Sequence, residues 1–186
     1  MKRLSLFVLA VFVLCGCSGK NQEIDGAIAF RQKLLNANQC SFDADVTANY
    51  GDKLYTFSVE CTVDGQGSLD FTITKPETIS GITGRIEQGE GQLLFDDVAL
   101  AFPLLAEGEL SPVSSPWIFM NTLRSGYLKS VGREEQLYRL TMDDSYREDA
   151  LQVDIWTSTE YIPVRAEILH NGNRILSMDV IDFQIL

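Results

Sequence analysis

The sequence predicts an α+β fold that is mainly β: a long antiparallel meander, an N-terminal helix and one apolar helix inserted near the middle of the chain. Three observations carry this. From Cys40 onward, run after run alternates apolar and polar residues with the period of a half-buried strand. The runs are separated by short turns rich in Gly, Asn and Asp, such as Tyr50-Gly51-Asp52 and Gly65-Gln66-Gly67. Only two segments of the remaining chain read as helix, residues 22–37 and the stretch from Pro116 to Arg124.

The first residues stand apart from this pattern. Lys2 and Arg3 form a basic head, Leu4 to Leu14 are apolar except for Ser5, and Gly16 sits directly before Cys17. That is the layout of a secretory signal. The run is too short to cross a bilayer, which takes about 20 apolar residues. The tetrad Leu14-Cys15-Gly16-Cys17 resembles the lipobox of bacterial lipoproteins. The resemblance implies a signal peptide over residues 1–16, lipid attachment (palmitate-type acyl chains) at Cys17, and anchorage on the outer face of a bacterial membrane. Cys15 is a poorer site because bulky Leu14 precedes it. More than one acyl chain is needed for stable attachment. Residues 17–21 then form a tether, and residues 22–186 are long enough for one domain with a sizeable core.

The chain carries a formal net charge of −11. Loss of Lys2 and Arg3 with the signal brings the mature protein to about −13. Nucleic-acid binding needs a basic footprint and is excluded by this balance. Electrostatic docking onto anionic lipid is disfavoured for the same reason.

Ile24, Ala27, Ile28, Arg31, Leu34 and Leu35 recur at helical spacing and predict an amphipathic helix over 22–37, weakened by Gly26. Cys40, Phe42, Ala44, Val46 and Ala48 then share one strand face, and Tyr55, Phe57, Val59, Cys61 and Val63 share another. Parity requires an even hairpin loop between these strands. A loop of Asn49 to Asp52 sets Cys40 opposite Cys61; a Gly51-Asp52 turn sets Cys61 opposite Phe42 and leaves Cys40 a diagonal step away. Both thiols lie on the apolar face, and the compartment permits oxidation, so a Cys40–Cys61 disulfide is expected.

Leu69, Phe71 and Ile73 continue the meander after a three-residue turn in which Gly67 takes the left-handed position. Pro76 ends that strand. Strands are expected over Ile79–Glu87 and Gln92–Phe102, with a bulge or break at Asp96-Asp97, where the apolar parity switches. Pro103 to Pro116 reads as loop. Ser115 is placed at the N-cap of the following helix, Pro116 at its first position and Gly126 just past its end. The remaining strands are expected over Tyr127–Arg133, Gln136–Met142, Leu151–Thr157, Tyr161–Leu169 and Arg174–Ile185. Parity across the last hairpin favours the three-residue loop His170-Asn171-Gly172 over a two-residue Asn171-Gly172 turn. It flips again between Val180 and Ile181, where a bulge is expected.

Catalysis is hard to assemble from these residues. The single histidine, His170, falls in a turn, and no Cys/His spacing suits zinc. The acid pairs Asp96-Asp97, Asp143-Asp144 and Glu148-Asp149 suit turns, since adjacent strand residues point to opposite faces. No catalytic residue, metal site or cofactor is expected, and the protein is not expected to be an enzyme. The Pro116–Arg124 helix is apolar nearly all round through Trp117, Ile118, Phe119, Met120 and Leu123, and so must be buried. It reads either as a plug filling a curved sheet or as the wall of an apolar cavity, with Trp117, Phe119, Met120 and Leu123 as candidate ligand-binding residues.

With the segment Phe71-Thr72-Ile73-Thr74-Lys75-Pro76 and the strand Tyr161-Ile162-Pro163-Val164-Arg165-Ala166-Glu167, this order of elements resembles the LolA-like lipoprotein-carrier fold. The resemblance implies an open half-barrel, with the N-terminal helix and the short apolar helix in its concave face. It implies binding of an apolar ligand or lipid in the concavity, or docking of a partner protein, without enzymatic activity. Two expectations follow: a membrane-anchored protein that holds an apolar ligand, or an interaction lipoprotein that binds another cell-envelope protein.

Overall fold

The computed structural model describes residues 19–95, 98–103, 105–106 and 109–186. The signal, the lipid site Cys17 and the acid pair Asp96-Asp97 lie outside the described residues. Helix α1 spans Gly19–Asn36, and helix α2 spans Ser115–Ser125 after a 3-10 turn at Pro112–Ser114. The strands are β1 (Gln39–Asn49), β2 (Leu54–Asp64), β3 (Leu69–Lys75), β4 (Thr83–Glu87), β5 (Glu90–Phe95), β6 (Val98–Pro103), β7 (Leu105–Ala106), β8 (Glu109–Leu110), β9 (Tyr127–Glu134), β10 (Leu137–Asp143), β11 (Gln152–Thr157), β12 (Pro163–His170) and β13 (Asn173–Ile185). Eleven strands form one antiparallel sheet in the order β6-β5-β4-β3-β2-β1-β13-β12-β11-β10-β9, and β7 and β8 pair separately. The sheet is an open half-barrel with both helices on its inner face, as the sequence predicts.

Strict alternation places the core. Phe42, Ala44, Val46 and Ala48 on β1, Phe57, Val59, Cys61 and Val63 on β2, and Leu176, Met178 and Val180 on β13 are all buried. Parity flips near the end of β13 because Asp182, with φ of 50°, is accommodated as a bulge opposite β1. Ile181 and Asp182 are then both exposed, and Phe183 returns to the core. The four phenylalanines Phe30, Phe42, Phe119 and Phe183 join α1, α2 and the centre of the sheet. Phe42 meets Phe119 edge-on at 5.6 Å and stacks on Phe183 at 5.8 Å, and Phe183 meets Phe30 at 6.1 Å.

The expected Cys40–Cys61 disulfide is not found between β1 and β2. The Gly51-Asp52 turn is used, with Gly51 at φ of 85° and Tyr50 N–H donating to Lys53 O at 3.0 Å. Cys61 therefore faces Phe42, Cys40 faces Val63, and both cysteines are free buried thiols. Burial pushes the Cys40 thiol up to about 11, partly offset by Arg124, and pushes the Cys61 thiol up further, with Asp43 and Cys40 adding to the effect.

The β2–β3 turn follows expectation, with Gly67 at φ of 93°. The other turns depart from it in detail. Residues 77–81 form turns before β4, so that strand begins at Thr83 and not at Ile79. Gln88 and Gly89 both take positive φ, as a two-residue turn between β4 and β5 requires. Phe95 pairs with Val98, so β5 and β6 are two antiparallel strands and not the one run expected over Gln92–Phe102. Within the expected Pro103–Pro116 loop lie β7, β8 and the 3-10 turn, so Ser114 and not Ser115 precedes α2. Gly126 follows α2 in an extended conformation. A Cβ there would stand 2.6 Å from Thr122 O and 2.8 Å from Asp143 O, so close backbone approach requires the glycine.

The last hairpin uses the two-residue Asn171-Gly172 turn, with φ of 51° and 77°. Parity is nevertheless kept, with Ile168 opposite Leu176 and Ala166 opposite Met178. The odd residue is absorbed by a register shift in the ladder between Ile168 and Leu169, and not by the expected three-residue loop.

Candidate functional site

Helix α2 is seated in the half-barrel by its own composition. Ile118, Phe119, Met120, Thr122 and Leu123 are buried, with Phe119 fully so. Both arginines near its C-terminal end tie it down. Arg31 on α1 donates from Nε to Leu123 O at 2.9 Å, and burial lowers its pKa. Arg124 donates from Nη2 to Gly65 O at 2.7 Å and from Nη1 to Leu34 O at 3.5 Å. A guanidinium beside the last carbonyls of a helix also complements its dipole.

The candidate ligand residues are not brought together around an open space. Phe119 and Met120 are core residues at 0% and 1% exposure. Leu123 lines a cavity of about 20 Å³ beside Phe30, Arg31, Leu140 and Met142, which is room for about one water. Trp117 alone reaches an open groove of about 370 Å³, where it faces Leu35, Gln88 and Arg124 at the rim of the half-barrel. The plug is therefore the arrangement adopted by α2.

The residues weighed for chemistry are dispersed. His170 closes the β12–β13 turn, with Nε2 3.5 Å from Asn171 Nδ2. Asp143 pairs with Lys129 at 3.2 Å, Asp144 accepts from Leu151 N–H at 2.9 Å, and Asp149 pairs with Arg147 at 3.0 Å. Among the described residues, no group of three or more His, Cys, Asp or Glu side chains is gathered that could hold a metal ion. On the outer face, Arg139 and Arg165 flank the Trp156 ring, each 5.1 Å from its centroid, and Arg139 pairs with buried Asp154 at 2.7 Å. This cluster covers the convex side of β11.

The most open apolar feature among the described residues is the β5–β6 hairpin, which falls in the Gln92–Phe102 run where the sequence predicts a strand with a bulge or break. Leu94, Phe95, Val98 and Leu100 are 47–56% exposed, and β6 ends the sheet. The opposite edge, β9, carries Lys129, Arg133 and Glu134 and has α1 packed against it. Charges and covers of this kind blunt an edge strand, and among the described residues β6 has neither. In Val98-Ala99-Leu100-Ala101-Phe102 both faces are apolar, a pattern that reads alike for a covered strand and an open one. In sequence the hairpin lies in an acidic stretch: Glu87, Glu90, Asp96, Asp97, Glu107 and Glu109 all fall between Arg85 and Arg124, with no Lys, Arg or His.

No protein-family model matches the chain, and no curated protein matches it. Solved structures do. A LolA superfamily protein from Nitrosomonas europaea is similar at 9% identity and a TM-score of 0.46, over 86% of this chain and 93% of that one. The lipoprotein LppX of Mycobacterium tuberculosis is similar at 10% identity and a TM-score of 0.41, over 87% and 93%. LprF from Mycobacterium bovis is similar at 10% identity and a TM-score of 0.43, over 89% and 95%.

Proposed function

We propose that this chain is a lipid-anchored, extracytoplasmic interaction protein without enzymatic activity. Its filled half-barrel is a rigid support, and its β5–β6 hairpin docks another cell-envelope protein. The observation that carries the reading is the pairing of a closed interior with an open apolar edge: Phe119 and Met120 are buried while Phe95, Val98 and Leu100 are about half exposed. Exposed apolar patches and uncovered edge strands mark interaction sites. The lipobox at Cys17 supplies the location, and the acidic surface keeps the domain off anionic lipid.

One observation favours a second reading, in which the concavity takes an apolar ligand. The small cavity between α1 and the sheet has an apolar lining that includes Ala27, Phe30, Leu128, Leu140 and Met142. Purification from the native membrane separates the two. The docking role predicts a protein that co-purifies with the wild-type chain and is lost from Leu100→Lys, with no stoichiometric lipid beyond that bound to Cys17. One equivalent of non-covalent lipid, with no protein captured, supports the ligand reading instead.

A further inference from the structure

We propose that β6 is the acceptor for an added strand, an extended segment of the partner in which apolar residues alternate with Lys or Arg. This inference rests on the docking role above and names the mode and chemistry of that contact.

The backbone leaves the edge open. β5 and β6 are joined through two residues, so Phe95 with Val98, Leu93 with Leu100 and Gly91 with Phe102 are the pairs that exchange hydrogen bonds across the hairpin. Ala99, Ala101 and Pro103 alternate with them and turn their backbone groups outward. Pro103 has no N–H to offer and suits an edge position. The N–H groups of Ala99 and Ala101 and the carbonyls beside them thus form a template for a further antiparallel or parallel neighbour.

The two faces of the hairpin dictate the side chains of the guest. Val98, Leu100 and Phe102 share a face with Leu93 and Phe95, which is apolar and continuous with the inner core. Ala99 and Ala101 share the other face with Leu94, Gln92 and Glu90, and on β4 Glu87 stands opposite Glu90, with Arg85 3.7 Å from the Glu87 carboxylate. Alanine leaves room for a long side chain to lie across β6 toward the exposed Glu90 carboxylate on β5. A guest strand therefore gains from apolar residues on one face and Lys or Arg on the other. A second copy of this chain is disfavoured as the guest, because antiparallel pairing of two β6 strands brings together two stretches that each carry acids and no base.

The test measures fluorescence anisotropy of a labelled nine-residue peptide of alternating Val and Lys, titrated with the full mature chain in detergent. Three comparisons accompany it: Ala101→Pro, the same peptide N-methylated on alternate amides, and a Val/Glu peptide. The expected result is binding that weakens with salt, falls at least tenfold with Ala101→Pro and with N-methylation, and vanishes for Val/Glu. Circular dichroism checks that Ala101→Pro is folded, and the N-methylated peptide tests the same hydrogen bonds on the unaltered protein. Equal binding of the N-methylated or the Val/Glu peptide overturns the proposal, as does failure of the Val/Lys peptide to bind. A dimer in sedimentation that Ala101→Pro abolishes also overturns it, in favour of self-association. Envelope capture lost with Leu100→Lys but kept with Ala101→Pro leaves the docking role standing and removes strand addition. Capture kept with both variants removes the docking role itself.

Discussion

Arg31 and Leu123 lie 92 positions apart in sequence, yet the Arg31 guanidinium donates from Nε to the Leu123 carbonyl at 2.9 Å. The bond fastens the C-terminal turn of α2 to α1, and with Arg124 on Leu34 and Gly65 it locks the two helices and the β2–β3 turn together. Arg31→Met keeps the apolar stem and removes the charged donor. It is expected to lower stability by about 1.5–3 kcal/mol, the range for hydrogen bonds to charged groups. Urea unfolding measures it, and a variant as stable as wild type contradicts the clamp.

The interior role of Phe119 has its own consequence. Phe119→Ala is expected to lower stability by about 3–5 kcal/mol, as for a fully packed aromatic. Trp117→Ala, whose ring reaches the open rim groove, is expected to cost clearly less. Equal and small losses at both positions mean that α2 faces open space and is not a plug.

The thiols make a chemical prediction. In the folded chain Cys40 and Cys61 are expected to resist a thiol reagent at pH 8, because burial both blocks access and raises their pKa values. Unfolding in guanidinium without reductant is expected to release both as reactive thiols. If neither reacts until a reductant is added, the pair is bridged, and the assignment of two free buried thiols is wrong.

The register that sets Phe42 opposite Cys61 shows where sequence reasoning reaches and where it stops. Alternation placed Cys40, Phe42, Phe57 and Cys61 on one buried face, because side-chain direction follows from strand period alone. It could not choose between two even loops, since both satisfy parity; the choice belongs to Gly51, whose positive φ makes the tight turn available. The same ambiguity reversed the reading at Asn171-Gly172, where the odd residue sits in the ladder and not in the loop. Of the site, burial of α2 was legible from its all-round apolar composition. The open hairpin was not, because an apolar run reads alike whether a neighbour covers it or none does.

Asp64 sets an acid-side expectation. Burial alone raises its carboxyl, but N–H groups of Ser68, Gln66 and Gly67, with Arg85 nearby, hold it below its ordinary value. A carboxyl lowered by folding stabilises the protein above its unfolded pKa of about 3.9, and that contribution is lost as pH falls through the folded value. Asp64→Asn is expected to flatten the decline in stability below about pH 4 and to lower stability at neutral pH. Urea midpoints across pH 2–7 measure it. A wild-type slope retained in Asp64→Asn means that other carboxylates carry the acid limb.

A half-barrel that works through its open edge, and not through its interior, must touch its partner at β6. Photo-crosslinking from position 100 in intact envelopes probes that contact, with position 146 as a control because Tyr146 is exposed and distant in sequence from the hairpin. A discrete protein adduct from a diazirine at position 100, and none from position 146, is the expected result. Water-quenched probe at position 100, or the same adducts from both positions, contradicts docking at the edge.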